Sequence, residues 1–242
     1  MRQRPLGIGG SGMGTPSLST STTVQLWWLA LCTALLPLLA LHGTYLMAAV
    51  EGHVPWCLPY WDSCTSISRT GRHGTGYFLF KALMIPAAVM GALYWWFNGR
   101  WLRQQGAVGA GVTVLAWLGI GACLGLVLYT VVLGHIGDTF HSLRRTGVVL
   151  YFSLTFLAEL LLSAALIRLP GPRVRGRRLL ALCGLMLVLG LLSVVLQWLV
   201  HPLYDRIEDA FEWWFALLIN LHAFGVAYLW WRTEFRARLW VA

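Results

Sequence analysis

The stretch HIGDTFHSLRR, residues 135–145, places two histidines and an aspartate within seven positions. Imidazole nitrogens and carboxylate oxygens bind transition metals, and histidine is well suited to move protons near neutral pH. The spacing H-x2-D-x2-H matches no established metal motif, and on a helix His135 and His141 would lie about 120° apart. We therefore expect no metal ion and no cofactor, and we retain His141 as a candidate general acid or base, paired with Glu212.

Membrane helices must position these residues, because the 242-residue chain is 58% hydrophobic and only 11% charged. Soluble domains are about 45–50% apolar and about 25% charged. A helix of about 20 apolar residues crosses the roughly 30 Å hydrocarbon core of a bilayer. Six apolar segments have that length, at about 24–50, 76–98, 107–134, 146–168, 179–200 and 210–231. The sequence thus predicts an all-α polytopic membrane bundle with six transmembrane helices over residues 23–232.

The two ends of the chain differ from these apolar segments. Residues 1–22 are rich in glycine, serine, threonine and proline, which predicts a disordered tail, and residues 233–242 form a short basic tail. Twelve of the seventeen arginines lie on the side of the tails and of the second and fourth loops. The positive-inside rule therefore predicts that both termini are cytoplasmic.

Acidic residues and histidines are concentrated on the opposite, outer face, which holds five of the seven histidines. We expect a multi-pass protein of a cell membrane, the bacterial cytoplasmic membrane, with this face outside. The net charge of +9 does not indicate nucleic-acid binding. The arginines stand in short runs between apolar segments, as orientation signals do, and no nucleic-acid-binding motif is present.

Cys57 and Cys64 both lie in the first outer loop. In an oxidising compartment they can close a short disulfide ring, and in a reducing one they remain two free thiols. The sequence leaves both alternatives open. A zinc site is disfavoured, because the spacing is C-x6-C rather than C-x2–4-C.

Helical periodicity aligns polar residues on two of the predicted spans. At 100° per residue, His141, Arg145 and Glu159 fall near one line of span four. Glu208, Glu212 and His222 do the same on span six. If these two lines face each other, they form a polar groove that opens to the outer surface.

Glu159, His222 and His42 lie inside predicted spans. Each would cost several kcal/mol if it faced lipid without a partner, so we expect all three to point into the bundle. Two roles stay open for them. They either belong to a functional site or hold neighbouring helices together by hydrogen bonds.

Several short elements resemble the FRAG/DRAM/Sfk family of membrane proteins. They are SISRTG at 66–71, FKALM at 80–84, His141 ahead of the run at 147–152, and Glu212 followed by tryptophan. That family includes a luminal-facing factor for lipid remodelling of GPI anchors, autophagy modulators and a yeast protein tied to phospholipid asymmetry. The resemblance implies a six-span fold with cytoplasmic ends, and it implies binding roles for Ser66, Ser68, His141 and Glu212.

The hypothesis that unites these patterns is recognition or remodelling of a membrane lipid, anionic or phosphate-bearing, at the outer leaflet. Spans two, four and six would supply the polar site. The residues expected to meet the head group are Ser66, Ser68, Arg69, Arg145 and Glu208. Arginines make charge-assisted contacts with phosphate, while His141 and Glu212 would exchange protons in a reaction.

Two other functions remain open. A proton-coupled transporter would use Glu159, His222 and Glu212, although the sequence lacks the internal repeat that many transporters show. A non-catalytic scaffold would bind anionic lipid through the arginines at 173–178 and those of the C-terminal tail.

Overall fold

The computed structural model describes residues 21–240. Residues 1–20, which hold nearly all of the predicted disordered tail, lie outside the described residues. The elements in chain order are β1 (Ser21–Gln25), α1 (Trp27–Val50), α2 (Pro59–Asp62), α3 (Ile67–Thr70), α4 (Gly74–Gln104), α5 (Ala110–Val132), α6 (Asp138–Arg168), α7 (Arg173–Leu199), α8 (His201–Arg232) and β2 (Arg236–Trp240).

Six of the helices are long and apolar enough to cross a membrane, namely α1 and α4 to α8. This result confirms the predicted all-α membrane bundle. Three helices begin at least six residues earlier than hydropathy places them, since α6 starts at Asp138, α7 at Arg173 and α8 at His201. A helix of 31 residues is about 46 Å long, so it extends well beyond a roughly 30 Å hydrocarbon core. Charged residues outside the core simply continue the helix.

The six long helices form a ring in chain order. Each packs mainly against its neighbours in sequence, and α1 and α8 close the ring. Short connections between α4 and the helices that follow make successive helices antiparallel. The one long connection, residues 51–73, carries α2 and α3. We call it the 51–73 loop, and we call the end of the bundle where it lies the long-loop end.

Small residues allow the tightest approach between two helices of the ring. A Cβ placed on Gly147 of α6 would lie 2.8 Å from the backbone oxygen of Gly125 of α5. Backbone-to-backbone contact of this kind replaces side-chain packing in membrane interfaces. It fixes the height of α6 relative to α5, and therefore the height of the polar residues in the first turns of α6.

The ends of the described chain form a structure that the sequence analysis did not predict. Strand β1 pairs antiparallel with β2, from Ser21 opposite Trp240 to Gln25 opposite Arg236. Half of the segment predicted as a short basic tail, residues 236–240, is therefore a strand. Leu26 donates its backbone N–H to the carbonyl oxygen of Phe235 at 3.0 Å, which continues the pairing to the start of α1.

Candidate functional site

The 51–73 loop is fixed onto α8 by hydrogen bonds. The indole Nε1–H of Trp213 donates to the carbonyl oxygen of Thr65 at 2.9 Å, and the backbone N–H of Ala210 donates to the Ser63 hydroxyl at 3.0 Å. The Trp213 side chain is fully buried. The loop is thus a packed part of the bundle, and it covers one side of the long-loop end.

A disulfide joins Cys57 to Cys64 within this loop, with the two Cα atoms 6.6 Å apart. The ring is also held to α1, because the Tyr45 hydroxyl donates to the Cys57 carbonyl at 2.7 Å and accepts from the Cys57 N–H at 2.8 Å. A ring of this size stabilises a fold by about 2–3 kcal/mol in the chain-entropy description. The loop is therefore anchored from both α1 and α8.

Glu212 connects α8 to the part of the loop that carries the predicted binding residues. Its Oε2 accepts the backbone N–H of Ile67 at 3.2 Å, at the first residue of α3. Ser66 caps the same short helix, since its hydroxyl accepts the N–H of Arg69 at 3.3 Å. The result is a compact turn that presents Ser66, Ser68 and Arg69 next to the Glu212 carboxylate.

Arg72 also belongs to this polar group, although the sequence analysis did not select it. One of its terminal nitrogens, Nη2, donates to the Ser68 hydroxyl at 2.7 Å, and that hydroxyl lies 3.3 Å from the hydroxyl of Ser66. Its Nε atom is buried and makes no hydrogen bond within the described part of the chain. Burial of a guanidinium N–H without an acceptor is costly.

Residues of both signs of charge act on Arg72, and two of them are arginines. Burial is the largest cause that lowers its pKa from the usual value, and the charges of Arg144 and Arg69 lower it further. The carboxylate of Glu212 and the Tyr129 side chain act in the opposite direction. Three arginines within electrostatic reach of one another favour the binding of an anion.

These residues line a cavity of about 890 Å³ inside the ring. All seven residues predicted for catalysis and head-group binding contribute to its wall: Ser66, Ser68, Arg69, His141, Arg145, Glu208 and Glu212. The predicted groove between span four and span six is therefore present, and the loop before span two completes it. The structure also adds three charged residues to the wall, Arg72, Arg144 and Asp209.

The cavity is polar at the long-loop end and apolar deeper in the bundle. Its deeper wall consists of Pro37, Leu41, Phe80, Met84, Leu126, Phe152, Phe215 and Ala216. Along α6 the lining runs from His141 to Ser153, a rise of about 18 Å. That depth is similar to one leaflet of a roughly 30 Å hydrocarbon core.

Positive charge is in excess at the polar end, where four arginines face three carboxylates. The Arg69 guanidinium and the Asp209 carboxylate lie 4.0 Å apart, so this pair is partly neutralised. Arg145 forms no ion pair with any residue between 21 and 240. The site can therefore accept an anionic group without displacing an internal partner of Arg145.

Two arginines of the cavity wall, Arg72 and Arg144, were not predicted from the sequence. Arg144 is the neighbour of Arg145, about 100° away on the helix, and the cavity is wide enough to include both. Arg72 follows Arg69 by three residues, but its role depends on how the 51–73 loop folds. His135 and Asp138, the other polar members of HIGDTFHSLRR, do not line this cavity. His135 instead lies against the ring of Phe140, with the ring centroids 4.9 Å apart.

Two of the three intramembrane polar residues point into the bundle, as expected. Glu159 and His222 are almost completely buried, and His222 Nδ1 lies 3.6 Å from Glu159 Oε1. The Ser163 hydroxyl lies 3.0 Å from the other ring nitrogen, His222 Nε2. This buried pair is separate from Glu212, which lines the cavity.

His42 corrects the same expectation, because its side chain is exposed on the surface of α1. Its Nδ1 lies 2.8 Å from the carbonyl oxygen of Leu38, one turn earlier, and its Nε2 lies 3.0 Å from the Tyr60 hydroxyl. Both ring nitrogens thus have partners without entering the bundle. Because Tyr60 of the 51–73 loop supplies a hydrogen-bond partner, the His42 side chain does not need to point into the bundle.

Fold and cavity together define a class: a six-helix membrane protein with an amphipathic cavity about one leaflet deep. The chain belongs to the family described as Frag1/DRAM/Sfk1/Cwh43P N-terminal domain, whose model matches residues 25–235. The matched segment includes all six membrane helices, and it confirms the family that the short sequence elements indicated. No curated protein and no solved structure matches the chain.

Proposed function

We propose that this protein binds a phosphate-bearing membrane lipid in the cavity, with the head group at the long-loop end and an acyl chain in the apolar part. The observation that carries this proposal is the excess of arginines at the polar end of a cavity whose deeper wall is apolar. One of these arginines, Arg72, has a buried Nε without an acceptor within residues 21–240. A phosphate oxygen is the acceptor that a guanidinium fork binds best.

The head group meets donors and acceptors in complementary positions. Arg72, Arg144 and Arg145 provide guanidinium donors, and the Ser66 and Ser68 hydroxyls provide neutral ones. On the facing side α8 contributes Glu208, which can accept from a hydroxyl or an amine. This arrangement suits a head group that combines a phosphate with hydroxyl or amine substituents.

The deeper part of the cavity suits an acyl chain. Its wall is formed by aliphatic and aromatic side chains from five of the six long helices, and an apolar chain there loses no hydrogen bonds. Each buried methylene contributes about 0.8 kcal/mol if it comes from water, whereas transfer from the bilayer interior contributes little. Selection among lipids therefore depends mainly on the head group.

Lipid remodelling would place His141 and Glu212 in proton transfer, since both line the polar end of the cavity. Glu212 also holds α3 in place through Ile67, so its carboxylate has a fixed orientation. Lipid binding requires the arginines and hydroxyls but no proton transfer. Lipid binding is thus the function that the geometry supports best. Lipid remodelling would require binding and, in addition, proton transfer.

The decisive experiment compares Arg72→Ala with a matched control, Arg177→Ala, in which the lost arginine lies exposed on α7 at the other end of the bundle. Protein purified in nanodiscs of mixed composition is analysed by lipid mass spectrometry. Loss of one or two charge-assisted hydrogen bonds, worth about 1.5–3 kcal/mol, lowers retention of phosphate-bearing lipid about 10- to 100-fold.

Arg177→Ala should retain lipid like the wild type. Equal lipid content in both variants and the wild type would contradict the proposed head-group site. Absence of any enriched lipid in the wild type would contradict lipid binding altogether, whereas a loss of lipid confined to Arg177→Ala would favour the scaffold hypothesis.

A further inference from the structure

Three side chains with metal-binding atoms meet in the middle of the bundle, outside the lipid cavity. They are Glu159 of α6, Cys183 of α7 and His222 of α8, and their ligand atoms all lie within 4.8 Å of one another. Each residue is at most 2% exposed. We propose that this trio, here called the Glu–Cys–His cluster, binds a divalent transition metal ion, with Zn²⁺ as the best match.

The distance between the imidazole and the carboxylate fits tetrahedral coordination, and the Cys183 sulfur lies within 4.8 Å of both groups. Zinc binds nitrogen and oxygen at about 2.0–2.2 Å and sulfur at about 2.3 Å, which places neighbouring ligands about 3.3–3.8 Å apart. The distance of 3.6 Å between His222 Nδ1 and Glu159 Oε1 lies in that range. The same distance is too long for a good hydrogen bond, so direct pairing does not satisfy the two groups.

Unsatisfied atoms support the same conclusion. Glu159 Oε2 and His222 Nδ1 are buried and have no hydrogen-bond partner in residues 21–240. Such atoms are rare in the interior of a protein, because each costs about 1–3 kcal/mol. A metal ion between the carboxylate, the thiolate and the imidazole would bind His222 Nδ1 directly and would neutralise the carboxylate to which Glu159 Oε2 belongs.

Ser163 orients the imidazole as outer partners of metal ligands usually do. In the tautomer that donates Nε2–H to the Ser163 hydroxyl, at 3.0 Å, the lone pair of His222 is on Nδ1, the atom that faces Glu159. The Ser163 hydroxyl also lies 3.8 Å from Cys183 Sγ. A hydrogen bond to the second ring nitrogen fixes both tautomer and ring orientation in metal sites.

Charge balance explains why this set of ligands suits a hydrocarbon core. A divalent ion with one carboxylate, one thiolate and one neutral imidazole has no net charge. Without the ion, a carboxylic acid, a thiol and the imidazole also sum to zero. Binding therefore exchanges one M²⁺ for two protons, which leave from Glu159 and Cys183, and the membrane interior holds no net charge in either state.

The choice of donors selects the metal. A thiolate and an imidazole favour zinc and its neighbours, whereas Mg²⁺ and Ca²⁺ require oxygen ligands. Three protein ligands leave a fourth position open. The Thr155 hydroxyl, one turn before Glu159 on α6, is also buried and makes no hydrogen bond within the described residues. It is available to hold a water molecule in that position.

The first test measures metal content and affinity in purified full-length protein. After incubation with Zn²⁺ and desalting, elemental mass spectrometry should find about one zinc per chain. With Co²⁺ as a probe, a thiolate-to-cobalt charge-transfer band should appear in the near ultraviolet. Cys183→Ser, which is nearly isosteric, should abolish the band and lower the affinity at least 100-fold, and Ser163→Ala should lower it about 10- to 100-fold.

The matched control is Cys123→Ala, since Cys123 is another buried cysteine in a membrane helix, α5, but does not belong to the cluster. It should bind zinc and show the cobalt band like the wild type. Equal losses in both cysteine variants, or a wild type that binds no metal, would overturn the proposal. Retained lipid is measured in the same samples, because the cluster does not line the cavity and Cys183→Ser should leave lipid content unchanged.

Discussion

The polar end of the cavity and the Glu–Cys–His cluster use similar residue types in opposite surroundings. Both contain a carboxylate from a stripe that helical periodicity predicts, together with histidine and serine. At the cavity the charged groups are partly exposed and positive charge is in excess. In the cluster every group is buried, and Glu159 forms no ion pair with an arginine or lysine among residues 21–240. Solvent access therefore separates the two groups of residues. The partly exposed charges of the cavity can bind an anionic ligand, whereas the buried groups of the cluster must carry no net charge.

The largest effect on stability is expected at the buried cluster. His222→Ala removes the contact with Ser163 and leaves an empty space between α6 and α8, so we expect the free energy of unfolding to fall by about 2–4 kcal/mol. The control is His42→Ala, where the histidine is exposed and the loss should stay below about 1 kcal/mol. Thermal unfolding in detergent measures both. Equal losses in the two variants would remove the distinction between buried and exposed polar groups.

A smaller effect is expected in the loop that covers the cavity. Replacement of both Cys57 and Cys64 by serine should destabilise the 51–73 loop by about 2–3 kcal/mol. Hydrogen exchange of the loop amides should accelerate, and retention of phosphate-bearing lipid should decrease, because Ser66, Ser68 and Arg72 lie in this loop. Metal binding should not change. Unchanged exchange in 51–73 would show that the contacts with α1 and α8 hold the loop without the disulfide.

The smallest effect is expected for Glu212→Gln, and it concerns lipid affinity. The direction of the change is informative. Glutamine keeps an oxygen that accepts from the Ile67 N–H, so the loop should remain in place. One negative charge is lost beside the arginines, so an anionic head group should bind about two- to five-fold more tightly, or about 0.4–1 kcal/mol. Lipid titration in nanodiscs measures this. Weaker binding would indicate that Glu212 contacts the head group directly as an acceptor.

Much of the fold follows from the sequence because burial in a bilayer depends on local composition. The six helices could be predicted without any knowledge of which helices are neighbours. The polar stripes on spans four and six could also be predicted, since rotation by 100° per residue aligns His141 with Glu159 and Glu212 with His222. Of the residues on these stripes, His141, Arg145, Glu208 and Glu212 line the cavity, whereas Glu159 and His222 belong to the Glu–Cys–His cluster.

The rest depends on contacts between distant segments. Cys183 stands in an apolar helix, where cysteine usually acts as a small apolar residue, and its role in the cluster appears only when α7 packs between α6 and α8. Arg72 and the hydrogen bond from Tyr60 to His42 depend on the fold of the 51–73 loop. Neither feature has a local pattern that a single sequence could reveal.

The pairing of β1 with β2 has a consequence for synthesis. The two strands are the first and last elements of the described chain, and α1 and α8 are neighbours in the ring. A ribosome adds about 5–20 residues per second, so Gln25 emerges roughly 10–40 s before its partner Arg236. The ring can close only when the last helix has been inserted. Until then the inner face of α1 must be shielded by lipid or by the insertion machinery.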